Sequence, residues 1–305
     1  MKKNIYKTKN YKVVYPFIDA QFGENPPDID CTDMIQKALD EVGSVGGGVV
    51  MLSLGGYLLS GTLHIPKGVI LAGEERDCCI LERREKNGAK EKLIVCKEGA
   101  SVCNMRLQVR GTSGDVINGK ESFTVENVDI VASPYFKGEY YVSGEGLGNN
   151  VMIKVCGDNA TVRNVRMFGI GYGVVLENGK GAKIDNVSVY TSRNGLYASK
   201  YSDIDVNLLT FRGKSEKDVE KDMFSTRQTS DCVIRLCDCD NVKIRKTDIH
   251  DVGTESPAVY AENVRGLDIS DLFCENVTDT VAANNSTDVK TRDIRHVMMQ
   301  RKVRG

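Results

Sequence analysis

Three residues in the second half of the sequence have types and spacing that suit the binding of an acidic sugar. Tyr197, Arg235 and Tyr260 are predicted to occupy equivalent outward positions in successive repeats of the chain. Repeats stacked about 4.8 Å apart bring the two phenol rings and the guanidinium into one row. An aromatic face stacks on a sugar ring, and a guanidinium pairs with its carboxylate. The alternative is the ordinary mixed surface of a parallel sheet.

Charged residues are expected around this row. Glu262 and Glu177 fall in the neighbouring outward row, to which we also assign Lys154, and Arg193 falls at the adjoining corner. The catalytic candidates of this surface are Arg235 and Glu262. The candidates for substrate binding are Tyr197, Tyr260, Arg193, Glu177 and Lys154.

His250 and Asp251 complete the catalytic candidates. His250 is one of three histidines, and its predicted outward row also holds Phe168, Tyr190 and Phe211. Imidazole groups exchange protons near neutral pH, which suits an acid or a base. A solvated surface histidine beside an aspartate is the alternative.

Two chemistries fit these groups. In a lyase, a base removes the proton next to a uronate carboxylate, while arginine or a metal ion stabilises the developing charge. A hydrolase needs two carboxylates about 5 to 9.5 Å apart. Glu177 and Glu262 are three repeats apart, about 14 Å, which is too far. Pairing of Glu262 with Asp251 or Glu255 stays open. No cofactor is predicted, except Ca²⁺ if the protein is a lyase.

A repeat along the chain positions these residues. Short runs of the form Asn–apolar–polar–apolar begin at Asn104, Asn127, Asn164 and Asn186, with degenerate copies further on. Five of the seven intervals are 21 to 24 residues long, and the other two are 37 and 39. A fixed period of this length is typical of a solenoid, whose repeats bury their apolar faces only against neighbours.

Each repeat contains three short alternating segments, as in 183–185, 187–190 and 196–199. Alternation places one apolar face inward and one polar face outward. The predicted fold is therefore all-β, a right-handed parallel β-helix. Asparagine tolerates left-handed backbone angles, so Asn127, Asn164, Asn186 and Asn207 are expected to form a ladder at one corner.

One helix is predicted, over Thr32 to Val42, with an apolar face and Thr32 as its N-cap. It precedes the first strands and is expected to cover the open end of the solenoid. We expect a single domain over 1–305, with an N-terminal arm (1–30), a capping helix and turn (31–48) and rungs (49–305). The two long intervals predict loop insertions near 133–150 and 212–230, both at one corner.

The N-terminal segment resembles a known superfamily. The sequence DCTDMIQKAL at 30–39 is followed by GGGVV at 46–50, GYLLSGTL at 56–63 and PKGVILAGE at 66–74. This pattern, over 28–82, is similar to the opening of the pectate-lyase-like superfamily, which includes rhamnogalacturonase-like and epimerase-like proteins and phage tailspikes. The resemblance implies a β-helix whose corner loops wall a glycan groove. The motif set of polygalacturonases is missing from this sequence.

Composition limits the partners. The chain has 41 basic and 42 acidic residues, which argues against nucleic-acid binding. No apolar run reaches the length of a signal peptide or a membrane span, so no membrane association is expected. The ten cysteines are interpreted as reduced, and the location as cytoplasmic or phage-associated.

The first functional hypothesis is a lyase or hydrolase acting on a glycan substrate. The second is a non-catalytic carbohydrate-binding or tailspike-like β-helix, and the third is a structural solenoid without a ligand. A homotrimer is compatible with either of the first two.

Overall fold

The computed structural model describes residues 10–15, 29–84, 92–110, 114–133, 135–136, 139–140, 150–169, 171–190, 193–212, 232–250 and 256–298. Within them, twenty strands form one continuous parallel sheet that winds into a solenoid, and two further strands form a small hairpin. The predicted fold, a right-handed parallel β-helix with a capping helix, is confirmed.

The helix α1 is Thr32–Ser44. The strands are β1 (Tyr11–Val14), β2 (Gly48–Leu52), β3 (Gly55–Leu58), β4 (Leu63–Ile65), β5 (Val69–Gly73), β6 (Cys79–Arg84), β7 (Ile94–Cys96), β8 (Ala100–Arg110), β9 (Ile117–Gly119), β10 (Phe123–Ser133), β11 (Tyr135–Phe136), β12 (Glu139–Tyr140), β13 (Val151–Val155), β14 (Thr161–Gly169), β15 (Tyr172–Tyr190), β16 (Leu196–Arg212), β17 (Ile234–Cys237), β18 (Asp240–His250), β19 (Val259–Glu262), β20 (Arg265–Glu275), β21 (Val281–Asn284) and β22 (Thr287–Val297).

Each complete turn of the solenoid, or rung, contributes one segment to each of three faces. In the rung 196–212, the segment 196–199 lies on face A, 204–207 on face B and 209–212 on face C. Face A comprises 63–65, 94–96, 117–119, 151–155, 172–177, 196–199, 234–237, 259–262 and 281–284. Face C comprises 55–58, 79–84, 105–110, 128–133, 165–169, 187–190, 209–212, 247–250, 272–275 and 294–297. Face B holds the strand segments between their corners.

The spacing between rungs agrees with the repeat in the sequence. Val174 pairs with Leu196, which follows it by 22 residues, and the same offset holds along all of face B and face C in that rung. Inward side chains such as Leu176, Ala198 and Leu236 are fully buried, so the alternation predicted from the sequence gives one continuous core.

Left-handed residues mark the corner between faces B and C. Asn104, Asn127, Asn164 and Asn186 all have φ between 51° and 57°. The Asn127 amide donates to Asn104 Oδ1 at 2.7 Å, and the Asn186 amide donates to Asn164 Oδ1 at 2.8 Å. These bonds satisfy side-chain groups along the corner while the backbone turns sharply.

The predicted place of Asn207 in this ladder is wrong by one residue. Asn207 pairs with Asp185 and donates to its Oδ1 at 2.7 Å, whereas Leu208 occupies the corner with φ of 58°. The sequence pattern pointed to the asparagine because leucine is uncommon in the left-handed region. The next corner residues of this row are Lys246, Asp271 and Asp293.

The helix α1 closes the N-terminal end of the core, as predicted. Ile35, Ala38 and Leu39 are at most 1% exposed and belong to the same apolar cluster as the rungs. The strand β1, in the predicted N-terminal arm, extends face B by pairing in parallel with β2.

The predicted N-cap is wrong, because Thr32 is already the first helical residue and Cys31 makes no side-chain cap. Asp30 performs this role instead: its Oδ1 accepts hydrogen bonds from the Thr32 amide at 3.0 Å and hydroxyl at 2.6 Å. The Asp30 carboxylate also accepts bonds from the amide and hydroxyl of Ser60. Burial raises the pKa of Asp30, but these hydrogen bonds outweigh it and lower the pKa to about 2.

Both predicted insertions leave face C and return to face A, so they share one corner. The first follows β10 and precedes β13, and only its hairpin of β11 and β12 is described. The second follows β16 and precedes β17, and its residues 213–231 lie outside the described part of the chain.

We predict that Leu208→Asn raises the free energy of unfolding by about 1 kcal/mol, because it removes the cost of holding a leucine at positive φ. Leu208 is 43% exposed, so little apolar burial is lost. Urea unfolding measures the change. Leu208→Val is the control and should lower stability, since β-branched residues are disfavoured there. A lower stability for Leu208→Asn would contradict the corner assignment.

We also predict that Asp30 makes folding sensitive to acid. Its pKa is 3.8 in the unfolded reference and about 2 when folded, so its stabilising contribution is present above pH 3.8 and is lost as the pH falls towards 2. Thermal unfolding across this range should show a steeper loss for the wild type than for Asp30→Asn, which does not titrate. Parallel curves for the two proteins would refute this role.

Candidate functional site

The predicted row on face A is present. The sheet register aligns Lys154, Val175, Tyr197, Arg235 and Tyr260 in successive rungs. Val175 is buried, whereas the other four side chains are half-exposed on the outer surface. The row therefore presents two cations and two phenol rings to solvent at a spacing of about 4.8 Å per rung.

Arg235 lies flat against one of these rings. Its Cζ is 5.3 Å from the centroid of the Tyr260 ring, and Tyr260 Oη accepts a hydrogen bond from the Asn284 amide at 3.1 Å. A hydrogen bond with Cys237 raises the pKa of Arg235, so the guanidinium is charged at any physiological pH. Stacking and hydrogen bonding fix this cation in place before any ligand binds.

A second arginine–tyrosine pair adjoins the row. Arg193 Nη1 donates to Tyr172 Oη at 3.0 Å, and its Cζ is 5.4 Å from the centroid of that ring. Tyr172 contacts Tyr197 edge to face, with centroids 6.3 Å apart. Tyr172 was missed from the sequence because it starts the strand, between Gly171 and Gly173, before the alternation becomes readable.

Lys154 lies in a different row from the one predicted. It pairs with Val175, so it belongs to the row of Tyr197 and Arg235 rather than to that of Glu177. The alternation was counted across the first insertion, where the count is easily shifted by one. The Lys154 ammonium still reaches Glu177 Oε2 diagonally at 3.0 Å. Partial burial lowers the pKa of Lys154, but the hydrogen bond and charge of Glu177 outweigh it and raise the pKa.

The neighbouring outward row contains the carboxylates. Glu177, Ser199, Cys237 and Glu262 align in successive rungs. Three rung intervals separate the two glutamates, about 14 Å, as the sequence predicted. Within the described part of the chain, the half-buried Glu262 carboxylate forms no hydrogen bond or ion pair. Glu262 is therefore an acceptor without a partner beside the Arg235–Tyr260 stack.

His250 lies on face C and not beside these groups. Its row holds Phe168, Tyr190 and Arg212; the predicted member Phe211 points inward and is 2% exposed. His250 Nδ1 contacts Glu275 Oε2 at 2.7 Å. No described hydrogen bond, ion pair or ring contact joins His250 to Arg235 or Glu262. The predicted partner Asp251 and the alternative Glu255 lie outside the described residues.

Neither a metal site nor a deep pocket marks face A. Across the described residues, no group of three or more histidine, cysteine, aspartate or glutamate side chains converges. We therefore derive no step through Ca²⁺. All ten cysteines have free thiols, and seven are buried. No helix in the described ranges is both long and apolar enough to span a membrane.

A shallow depression lies on face B, lined by Lys183, Ile184, Asp185, Asp205, Asn207, Arg245 and Lys246. Arg245 pairs with Asp205, and Asn207 with Asp185. Because these polar groups satisfy one another, the depression is interpreted as a solvated surface of the sheet.

Solved structures with a similar fold come from several functional classes. The A-module of the mannuronan C-5 epimerase AlgE4 from Azotobacter vinelandii is 12% identical, with a TM-score of 0.45, over 90% of this chain and 95% of that one. The Streptococcus pneumoniae surface adhesin PfbA is 12% identical, with a TM-score of 0.46, over 90% and 97%. A polygalacturonase from Erwinia carotovora is 15% identical, with a TM-score of 0.42, over 90% and 95%.

The resemblance to the pectate-lyase-like superfamily is thus confirmed at the level of the fold. No family model matches the sequence, and no curated protein matches it. At these identities the similarity concerns the fold alone.

Proposed function

We propose that face A binds a uronate-containing glycan and that the protein is a polysaccharide or oligosaccharide lyase. The observation that carries this proposal is the unpaired Glu262 carboxylate in the row next to the Arg235–Tyr260 stack. A base without a partner, beside a fixed cation, is the arrangement that β-elimination requires.

The spacing of these groups supports the roles. Arg235 faces Tyr260 and Cys237 faces Glu262, so Arg235 and Glu262 are diagonal neighbours. Diagonal neighbours in a sheet lie about 7 to 8 Å apart, which leaves room for a substrate group between them. Arg235 would pair with the uronate carboxylate, and Tyr197 and Tyr260 would stack on sugar rings.

The elimination itself conserves atoms and charge. Glu262 removes the proton on the carbon next to the uronate carboxylate, and Arg235 stabilises the negative charge that develops on that carboxylate. The electron pair forms a carbon–carbon double bond while the bond to the glycosidic oxygen breaks. The leaving oxygen takes up a proton, and the product keeps an unsaturated uronate at its new end.

Charge favours an acidic substrate. The groups of face A named as candidates include three cations, Lys154, Arg193 and Arg235, and two carboxylates, Glu177 and Glu262. One carboxylate is neutralised by Lys154. The remaining excess of positive charge attracts an anionic chain.

A second candidate, a non-catalytic glycan-binding β-helix, is favoured by a separate observation. Arg235 and Arg193 are each already stacked on a tyrosine, and no described acid lies opposite Glu262 to protonate a leaving group. Such a rigid surface of aromatic rings and cations suits binding without chemistry. A homotrimer, and a cytoplasmic or phage-associated location, stay predictions.

The test of the lyase is a screen of uronate and neutral glycans with the purified full chain, read by the ultraviolet absorbance of unsaturated products and by new reducing ends. We expect absorbance on at least one uronate polymer. Glu262→Gln should then lower kcat by about 10² to 10⁴-fold, because it removes the base. Glu126→Gln, on face B, is the matched control and should keep full activity. Elimination that survives Glu262→Gln would refute the assignment, and reducing ends without absorbance would indicate a hydrolase.

Arg235→Lys tests the carboxylate clamp separately. Lysine keeps the charge but loses the planar fork and the stack on Tyr260, so kcat/KM should fall about tenfold or more. Arg265→Lys, an exposed arginine of face B, should leave kcat/KM unchanged. If no glycan is cleaved but uronate oligomers bind and Arg235→Lys weakens binding, the non-catalytic candidate is the correct one.

A further inference from the structure

A buried carboxylate surrounded by three arginines lies on face C, at the corner next to face B. The sheet register aligns Arg106, Asp129 and Arg166 in three successive rungs, and Arg76 reaches the same carboxylate from the turn 74–78. Asp129 is 3% exposed. Arg166 Nε donates to Asp129 Oδ1 at 2.8 Å, and Arg166 Nη2 donates to the other oxygen.

These arginines exceed what the carboxylates can satisfy. Arg76 also donates to Asn127 Oδ1 at 3.1 Å and to the Val128 carbonyl at 3.2 Å, which fixes its guanidinium. Among the described residues, the buried Nε atoms of Arg76 and Arg106 have no hydrogen-bond acceptor. A buried donor without an acceptor is costly, and more so when it carries charge. The cluster can therefore accept a further anion.

Asp77 lies where such an anion would bind. Its Oδ1 is 3.1 Å from Arg106 Nη2 and 3.5 Å from Arg166 Nη2, and its side chain is 63% exposed. Counting Asp77 and Asp129 against the three arginines leaves one net positive charge. An exposed ion pair of this kind contributes at most about 1 kcal/mol, so an incoming carboxylate or sulfate can displace Asp77.

An aromatic surface adjoins the cluster on the same face. Phe168 and Tyr190 stack in parallel, with centroids 4.8 Å apart and an interplanar angle of 6°. Phe168 follows Arg166 by two residues on the same strand, so both side chains point outward, and Phe168 is 38% exposed. A flat apolar ring beside guanidinium groups suits a sugar ring with an anionic substituent.

We propose that this surface, formed by Arg106, Arg166, Phe168 and Tyr190, is a second glycan-binding site that takes a sugar ring carrying a carboxylate or sulfate group, with Asp77 as an intramolecular competitor. This site is separate from face A and does not depend on the proposed lyase activity. It would hold an acidic glycan on a second face of the same solenoid.

The experiment is calorimetric titration of the full chain with uronate oligosaccharides, sulfated oligosaccharides, neutral oligosaccharides and inorganic sulfate. To remove the contribution of face A, all proteins carry Arg235→Gln. We expect acidic oligosaccharides to bind, neutral ones not to bind, and inorganic sulfate to compete weakly. The uronate and sulfated arms identify which anionic group is preferred.

Three substitutions in that background distinguish the site from a purely structural cluster. Asp77→Asn should tighten binding about two- to fivefold, because it removes the competing carboxylate. Arg166→Gln should weaken binding about tenfold or more, and Phe168→Ala should weaken it as well. Arg163→Gln, an exposed arginine of the same strand that pairs with Glu126 on face B, is the control for Arg166 and should change nothing.

Asp77→Asn guards against a folding artefact, because Asp77 is exposed and a structural role cannot produce tighter binding. Unchanged or weaker binding in Asp77→Asn would overturn the proposal, and so would equal binding of neutral and acidic oligosaccharides. Because Arg235 is already replaced, failure of the lyase proposal would leave these outcomes unaffected.

Discussion

Parallel hydrogen bonding between successive rungs is the constraint on which the rest of this molecule depends. It requires each rung to return to the same register after about 22 residues, as Val174 and Leu196 do. The chain meets this requirement by turning at left-handed residues, most of them asparagine, aspartate or glycine, which lose little energy in that conformation. The inward apolar residues then stack into one core, and α1 covers its N-terminal end.

The same register converts distant positions of the sequence into surfaces. Tyr197, Arg235 and Tyr260 are neighbours on face A only because the long loop 213–231 leaves and returns without shifting the pairing. Arg106, Asp129 and Arg166 are brought together in the same way on face C. In both cases a rigid backbone holds cations and aromatic rings before a ligand arrives, which lowers the entropic cost of binding.

The sequence predicted whatever follows from periodicity, and its errors are local. The β-helix, the capping helix and the Tyr197 row all derive from repeat length and alternation. Lys154 was shifted by one position because an insertion interrupts the count, and Leu208 was passed over because asparagine is the usual corner residue. Asp30 was missed as the helix cap because its bonds depend on the approach of Ser60 from another rung.

The arginine cluster shows a different kind of limit. Arg76 comes from a turn that has no counterpart in the later rungs, so no repeat pattern assigns it to Asp129. His250 illustrates the converse: its outward phase was read correctly, but which face it occupies relative to Arg235 follows from the winding of the chain. Contacts between faces require coordinates, whereas contacts within a face can be read from the sequence.

The separation of inward and outward side chains has an evolutionary consequence. Outward residues of faces A and C contribute little to the core, so they can be exchanged without endangering the fold. Because rungs are equivalent, replacing a residue one rung further along displaces a charge or a ring by about 4.8 Å and leaves the backbone unchanged. Such a scaffold can alter the length and charge pattern of the chain it recognises in discrete steps, through single substitutions.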